Sequence, residues 1–260
     1  MIRPAAVLRL AVALLLPGLP ALAQSSADAE MRFSTGVMHL REGRIDLALD
    51  EFKKAVKEDA KNPYFQKGLG LAYSAKATRA TEPKSRDELW KQAITAFRRS
   101  LELNPYYVDV RNDLAAALIG SGERDAGKKE FLTAYSDPTN PTPEVSARNL
   151  GQAFLDEKNY PEAVNWYRTS LNRNKDYTDA YLGLADALAA VGRPDEAVVQ
   201  LEAGIKELPN DAALQLSLGQ SLLRAGRFAE ARTRLEDVVR KDPGGPLGRA
   251  AADALKSVPK

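Results

Sequence analysis

The chain has no cysteine and a single histidine in 260 residues. The first absence excludes disulfides, a thiolate nucleophile, a cysteine metal site and a lipid-modified cysteine behind an export signal. The second leaves His39 alone, with no His/Glu spacing for a metal and no glycine-rich phosphate loop between strand and helix patterns. Carboxylates are plentiful but fall on solvated helix faces, so the reading is not an enzyme, with no cofactor. Charge of one sign is lacking too. Lys and Arg number 37 against 35 Asp and Glu, and loss of residues 1–23 would remove only Arg3 and Arg9 from this balance. A neutral chain with interspersed signs offers no footprint for nucleic acid. Pairs such as Arg98-Arg99 and Lys128-Lys129 read as solvated helix faces.

Long apolar runs are missing as well. The stretch Leu10 to Leu16 is too short to span a bilayer as a permanent helix. With Arg3 and Arg9 before it, Pro17-Gly18 and Pro20 behind it, and Ala21-Leu22-Ala23 as an Ala-x-Ala site, it reads as a secretory signal peptide over residues 1–23. Retention as an N-terminal anchor is the alternative. Abundant Ala, Arg and Leu and a compact signal suggest a bacterial protein, which places the expected mature chain, from Gln24, in the periplasm. It would be associated with the outer membrane only through a partner, and oligomeric state is not legible.

What is present is a repeat. Tyr181 to Pro209 holds two amphipathic helical patterns separated by Gly192-Arg193-Pro194, with Ala197, Leu201 and Ile205 recurring at spacing four. Thirty-four residues on, the same positions return as Gln215, Leu218-Gly219, Leu222, Gly226, Ala231, Leu235 and Pro243. Leu at position 7, Gly or Ala at 8, an aromatic at 11, Gly at 15, Ala at 20, an aromatic at 24, Ala at 27 and Pro at 32 resemble the tetratricopeptide repeat. The resemblance implies an all-α, right-handed superhelical solenoid of about six helix–turn–helix repeats. Small residues at 8 and 20 would let the helices of a unit approach, while 7, 11 and 24 fill the space between units.

Residues 24–28 form a polar lead-in, and the solenoid is expected over 29–245 with repeats from about 29, 63, 108, 144, 178 and 212. Position 11 of the first repeat is His39, which reads as packing. In the second repeat the phase slips by eleven residues, giving an insert at 77–89; Ser85-Arg-Asp-Glu88 reads as a capping box, starting a helix near Arg86 with Trp90 inward. Gly127 replaces Ala at position 20 of the third repeat. Ser136 to Pro143 has three prolines in six residues and must be an extended turn. Residues 246–260 read as a capping helix and tail.

In this family the first helix of each unit lines a concave groove, through positions 2, 5, 9 and 12. Carried onto this chain, these include Phe33, Val37, Leu40, Tyr64, Lys67, Leu71, Asn112 and Ile119, then Arg148, Gln152, Leu155, Leu182, Asp186, Leu216, Gln220 and Leu223. Leu71, Ile119, Leu155 and Leu182 are expected to make one apolar strip. The clamp by which chaperone-binding members grip a terminal carboxylate is absent: Leu71 follows Lys67 and Ala116 follows Asn112 where the clamp needs other residues. An apolar groove suits an amphipathic helix or extended apolar peptide of one or more envelope proteins.

A signal-led chain of about six such repeats also resembles the pilotins that assist secretin assembly in type IV pilus systems. The segment Pro143-Glu144, Asn149-Leu150-Gly151, Ala163, Ser170-Leu171 and Asn174 carries that likeness. Those pilotins are usually lipoproteins, whereas this chain has no cysteine to acylate. The expectation is a non-catalytic scaffold or assembly factor of the bacterial envelope; the alternative is a general periplasmic adaptor or holdase-like factor for peptidoglycan or outer-membrane machinery.

Overall fold

The computed structural model describes residues 19–259, with side chains from residue 27. Arg3, Arg9 and the apolar run 10–16 of the expected signal lie outside the described residues. Among those described the chain is all helix, without a strand: α1 (Leu19–Arg41), α2 (Ile45–Glu58), α3 (Pro63–Arg79), α4 (Pro83–Leu103), α5 (Val108–Ser121), α6 (Arg124–Ser136) and α7 (Pro143–Asp156), then α8 (Tyr160–Arg173), α9 (Thr178–Ala190), α10 (Pro194–Glu207), α11 (Ala212–Arg224), α12 (Phe228–Lys241) and α13 (Pro246–Leu255). Successive helices pack in pairs across turns of a few residues, which makes them antiparallel. Six units result, and each packs on the next.

Five unit starts fall where the sequence places them, within one residue. The first does not. Residues 24–28, expected as a lead-in, lie inside α1, which begins at Leu19. Nothing in Gln24-Ser-Ser-Ala-Asp28 breaks a helix once α2 and α3 hold its C-terminal part.

The stacking rests on rings set against small residues. Phe52 on α2 is fully buried, and a Cβ added at Gly36 of its own unit would stand 2.7 Å from its ring, one at Gly68 of the next unit 2.8 Å. Tyr167 on α8 repeats the arrangement: the corresponding distances are 3.0 Å at Gly151 and 2.2 Å at Gly183. Position 24 therefore fills space within its unit as well as between units, against the expectation of a purely inter-unit role. Gly127 has its own reason. A Cβ there would lie 2.5 Å from Ile119 Cγ1 and 2.7 Å from the Ala115 carbonyl, so α5 and α6 approach more closely than alanine would allow.

The turns inside units use the left-handed region. Gly43, Gly122, Gly192 and Gly226 have φ of 72°, 94°, 75° and 74°, and the equivalent Lys158 has φ of 60°. In each the amide of the left-handed residue and the one after it reach back to the helix, as when Gly192 N and Arg193 N donate to Ala189 O and Leu188 O.

Unit 2 departs from this pattern because of its insert. α3 runs on to Arg79, and α4 begins at Pro83, with the Glu82 carboxylate accepting from Lys84 N and Ser85 N. The expected capping box at Ser85–Glu88 is thus inside the helix; Glu82 with Pro83 at the first position terminates it sooner. Trp90 does face inward, against the buried cluster of α4 and α5. The added turn of α3 braces unit 1: Lys76 Nζ lies 2.7 Å from Asp46 Oδ1, and Arg79 Nη1 donates to the Gly43 carbonyl at 3.0 Å.

The proline-rich junction is an extended turn held by Asn140. This buried side chain donates to the Ala134 carbonyl at 2.7 Å and accepts from Thr142 N at 2.9 Å. Here α5 and α7 approach less closely than other successive first helices. The core still crosses, through Ala115, Phe131 and Leu150. At the far end α13 closes the array by covering Leu216, Leu235 and Val238 with Leu247, Ala251 and Leu255.

The ring packing yields a direct test. Gly183→Ala drives a methyl into the immobile Tyr167 ring and should cost about 1–3 kcal/mol in urea unfolding. Combining it with Tyr167→Leu should give a loss clearly smaller than the sum of the two single changes. Strict additivity would show that the ring does not bridge units 4 and 5.

Candidate partner-binding groove

The first helices of the units share one face of the array, and four ion pairs run from first helix to first helix. Lys67 on α3 reaches Asp109 and Asp113 on α5, Arg148 on α7 reaches Asp179 on α9, and Asp186 on α9 reaches Arg224 on α11. At the N-terminal end this face holds a pocket of about 350 Å³ lined by Phe33, Val37, Leu40, Phe52, Leu71 and Tyr107, with Arg41 and Lys67 beside them. Five of the sequence-predicted groove residues thus converge on one concavity. Tyr64 stands next to it, half exposed, with its ring edge-on to Tyr107 at 5.2 Å.

Tyr107, Arg41 and Asp113 were not singled out from sequence, whereas Asp109 falls at position 2 of the third unit. Tyr107 had a signal: an aromatic precedes the first helix in units 3 and 5, as Tyr107 and Tyr177. Arg41 and Asp113 had none, because their role comes from neighbours on other helices. The Lys67 ammonium lies 4.9 Å from the centre of the Tyr107 ring and 3.9 and 3.7 Å from the two carboxylates, too far for hydrogen bonds.

Asp113 is the strained member. Although 28% of its side chain remains accessible, Oδ2 is enclosed and accepts no hydrogen bond. Burial pushes its pKa up to about 6, Asp109 adding to the shift and Lys67 opposing it. Burial similarly pushes the Tyr107 hydroxyl up to about 12.

The rest of the predicted row is less open. Leu71, Ile119 and the pair Leu155 and Leu182 pack on three different buried clusters, so they do not form a single strip. From unit 3 onward several residues of the row are taken up by contacts within the array. Asn112 accepts from Ser146 Oγ at 2.9 Å and so ties α5 to α7. Gln152 accepts from the Tyr167 hydroxyl at 3.1 Å and donates to Asp156 at 2.8 Å. Leu216 and Leu223 face α13 and are withdrawn from the groove, while Gln220 is half-buried. His39, at the packing position, is largely buried with Nδ1 3.9 Å from a Glu42 oxygen.

Models of the tetratricopeptide repeat match residues 71–203 in one case and residues 19–63 and 182–246 in another. The chain belongs to the tetratricopeptide repeat family. Among curated proteins it is 26% identical over 168 residues to Hsp70-Hsp90 organizing protein 1 of Arabidopsis thaliana, covering 64% of this chain but 27% of that protein. Among solved structures it is similar to PilF of Pseudomonas aeruginosa, with a TM-score of 0.62 and 18% identity over 88% of this chain and 99% of that one. A similar likeness holds to PilW, a widely conserved type IV pilus biogenesis factor: TM-score 0.63, 18% identity, 86% and 98% covered. At that identity the likeness is one of fold. Proteins of this family are interaction scaffolds, no enzymatic family is indicated, and no described helix is long and apolar enough to cross a membrane.

The raised Asp113 pKa fixes a pH dependence. A carboxylic acid that holds its proton more tightly folded than unfolded loses stability as pH rises from about 4 to about 6. Asp113→Asn should therefore be more stable than wild type at pH 7, by about 1–2 kcal/mol once partial exposure is allowed for. Below pH 4 the two should converge. A gap independent of pH in paired urea titrations would show that the carboxylate is not desolvated.

Proposed function

We propose that this protein is a non-catalytic assembly factor of the bacterial cell envelope that holds an apolar segment of a partner protein in its concave groove, with type IV pilus or secretin biogenesis as the specific setting. The observation that carries the reading is the 350 Å³ apolar pocket on the shared face of the first helices. Apart from the fully buried Phe52, its walls are half-buried side chains that a folded solenoid leaves without apolar partners on the open side. The pilus setting is supported by the near end-to-end match in length and fold with PilF and PilW. With no cysteine to acylate, attachment to a membrane would come through the partner. Periplasmic placement rests on the signal-like segment 1–23.

A second reading, a holdase-like adaptor, is favoured by the similarity to Hsp70-Hsp90 organizing protein 1. The missing carboxylate clamp at Leu71 and Ala116 counts against capture of an acidic C-terminus. The two readings part on stoichiometry. An assembly factor should retain one envelope protein at a fixed ratio, a holdase many unfolded ones.

Co-purification from an envelope extract tests the groove. Val37→Thr with Leu71→Gln keeps size while making the pocket wall polar, and should reduce capture of the partner at least about tenfold with the protein still folded, its thermal unfolding somewhat lowered because both side chains also touch buried clusters. Glu202→Lys, exposed on α10, should leave capture unchanged. Asp at Leu155 or Leu182 is a poorer probe, because both pack on the largest buried cluster. Capture lost with Glu202→Lys and kept with the pocket pair would move the site off the concave face.

A further inference from the structure

The concave face changes character along its length. Units 1 and 2 supply the apolar pocket with Arg41 and Lys67 at its side. From unit 3 onward the first helices carry Asp109, Asp113, Glu144, Asp156, Asp179 and Asp186 against Arg111, Arg148 and Arg224, and Arg111 is taken up by Glu130 on α6. The ion pairs among them are 3.3 to 3.9 Å long, none a close hydrogen-bonded pair. The acidic ground begins at the pocket wall, since Lys67 belongs to the wall and touches Asp109 and Asp113. It resumes around the Tyr167 hydroxyl, which feels the negative charges of Asp156, Asp179 and Asp186 and the positive charge of Arg148.

Taking the groove as the partner site, as argued above, we propose that its ligand is a basic-apolar segment of a partner: one aromatic or branched apolar side chain in the unit 1–2 pocket, followed by Lys or Arg residues over Asp109 and Asp113 and again over the Asp156–Asp179–Asp186 group. Charge complementarity selects this occupant. An acidic segment would meet a surplus of carboxylates, and a wholly apolar one would bury them without partners. Asp113 Oδ2 accepts no hydrogen bond and has only the Lys67 ammonium at 3.7 Å, so the charge of this carboxylate pair is incompletely neutralised within the chain. With packed helices roughly 8–10 Å apart, the second acidic group on α7 and α9 lies one to two spacings from the first on α5, roughly 10–20 Å or about three to six extended residues. Arg41, on the unit 1 side of the pocket, fixes polarity by repelling basic residues from that end.

Fluorescence anisotropy on the purified protein, with synthetic labelled peptides of about 14 residues, tests this. One peptide carries Phe near one end and Lys residues beyond it; the second replaces Lys by Glu; the third keeps Lys and replaces Phe by Ser. The first should bind at least about tenfold more tightly than either of the others, and should weaken as salt rises from about 50 to about 500 mM. Asp109→Lys, an exposed change, should cost the first peptide about tenfold and improve the second. Equal affinity for the Lys and Glu peptides, or no binding of the Lys peptide, overturns the proposal. If the Glu peptide binds best and Val37→Thr with Leu71→Gln weakens it, the groove reading stands and this ligand chemistry falls. If the pocket pair leaves every affinity unchanged, the groove reading itself fails. Self-association of the protein with no charge preference among peptides assigns the face to a second copy and likewise overturns the proposal.

Discussion

A buried ring held between two residues too small to compete with it is the contact on which the array depends. Phe52 lies over Gly36 within its unit and Gly68 in the next, and Tyr167 lies likewise over Gly151 and Gly183. The ring on a second helix thereby fixes the spacing between two first helices. Those helices form the concave face, so packing inside the solenoid sets the distance between groove side chains. The same logic shapes the ends. The last unit has no successor, and α13 supplies a substitute face to Leu216 and Leu235. In unit 2 the lengthened α3 clips onto the turn of unit 1 through Lys76 and Arg79.

Against this regular background the polar groups of the groove stand out. A solenoid optimised for stability alone would not keep a carboxylate oxygen enclosed without a donor, as at Asp113, beside an ammonium that sits at no hydrogen-bonding distance. Tyr107 and Lys67 hold that arrangement in place through ring and charge, and the apolar pocket opens beside it. Local cost of this kind is tolerated where neighbouring packing over-determines the geometry. Here Phe97 and Leu114 of the adjoining buried cluster supply that packing.

Unit boundaries were legible because they rest on local chemistry repeated in phase. Pro63 and Pro143 begin helices, glycines at 43, 122, 192 and 226 turn them, and Ala48, Ala93, Ala163, Ala197 and Ala231 mark where two helices touch. Lys158 takes the same left-handed turn without a glycine, and nothing in its residue type announces it. The start of α1 was not legible, since a polar stretch with no breaker reads equally as leader or helix. At α4 the competing cap Glu82-Pro83 won over Ser85 because it adds helix without opposing it.

Of the candidate groove, the repeat register carried over from the family named five of the side chains that line the pocket. It assigned Leu216, Leu223, Ile119, Leu155 and Leu182 to that face by register. Tertiary structure decided that these are shared with neighbouring first helices or covered by α13. It also decided that Asn112 is spent on Ser146 and that Tyr107 and Asp113 belong with Lys67. The physical reason is that a repeat period encodes contacts within a unit and to its neighbour, which recur. The charge and hydration of a groove depend on side chains brought together from several units, at positions where the repeat leaves the residue free.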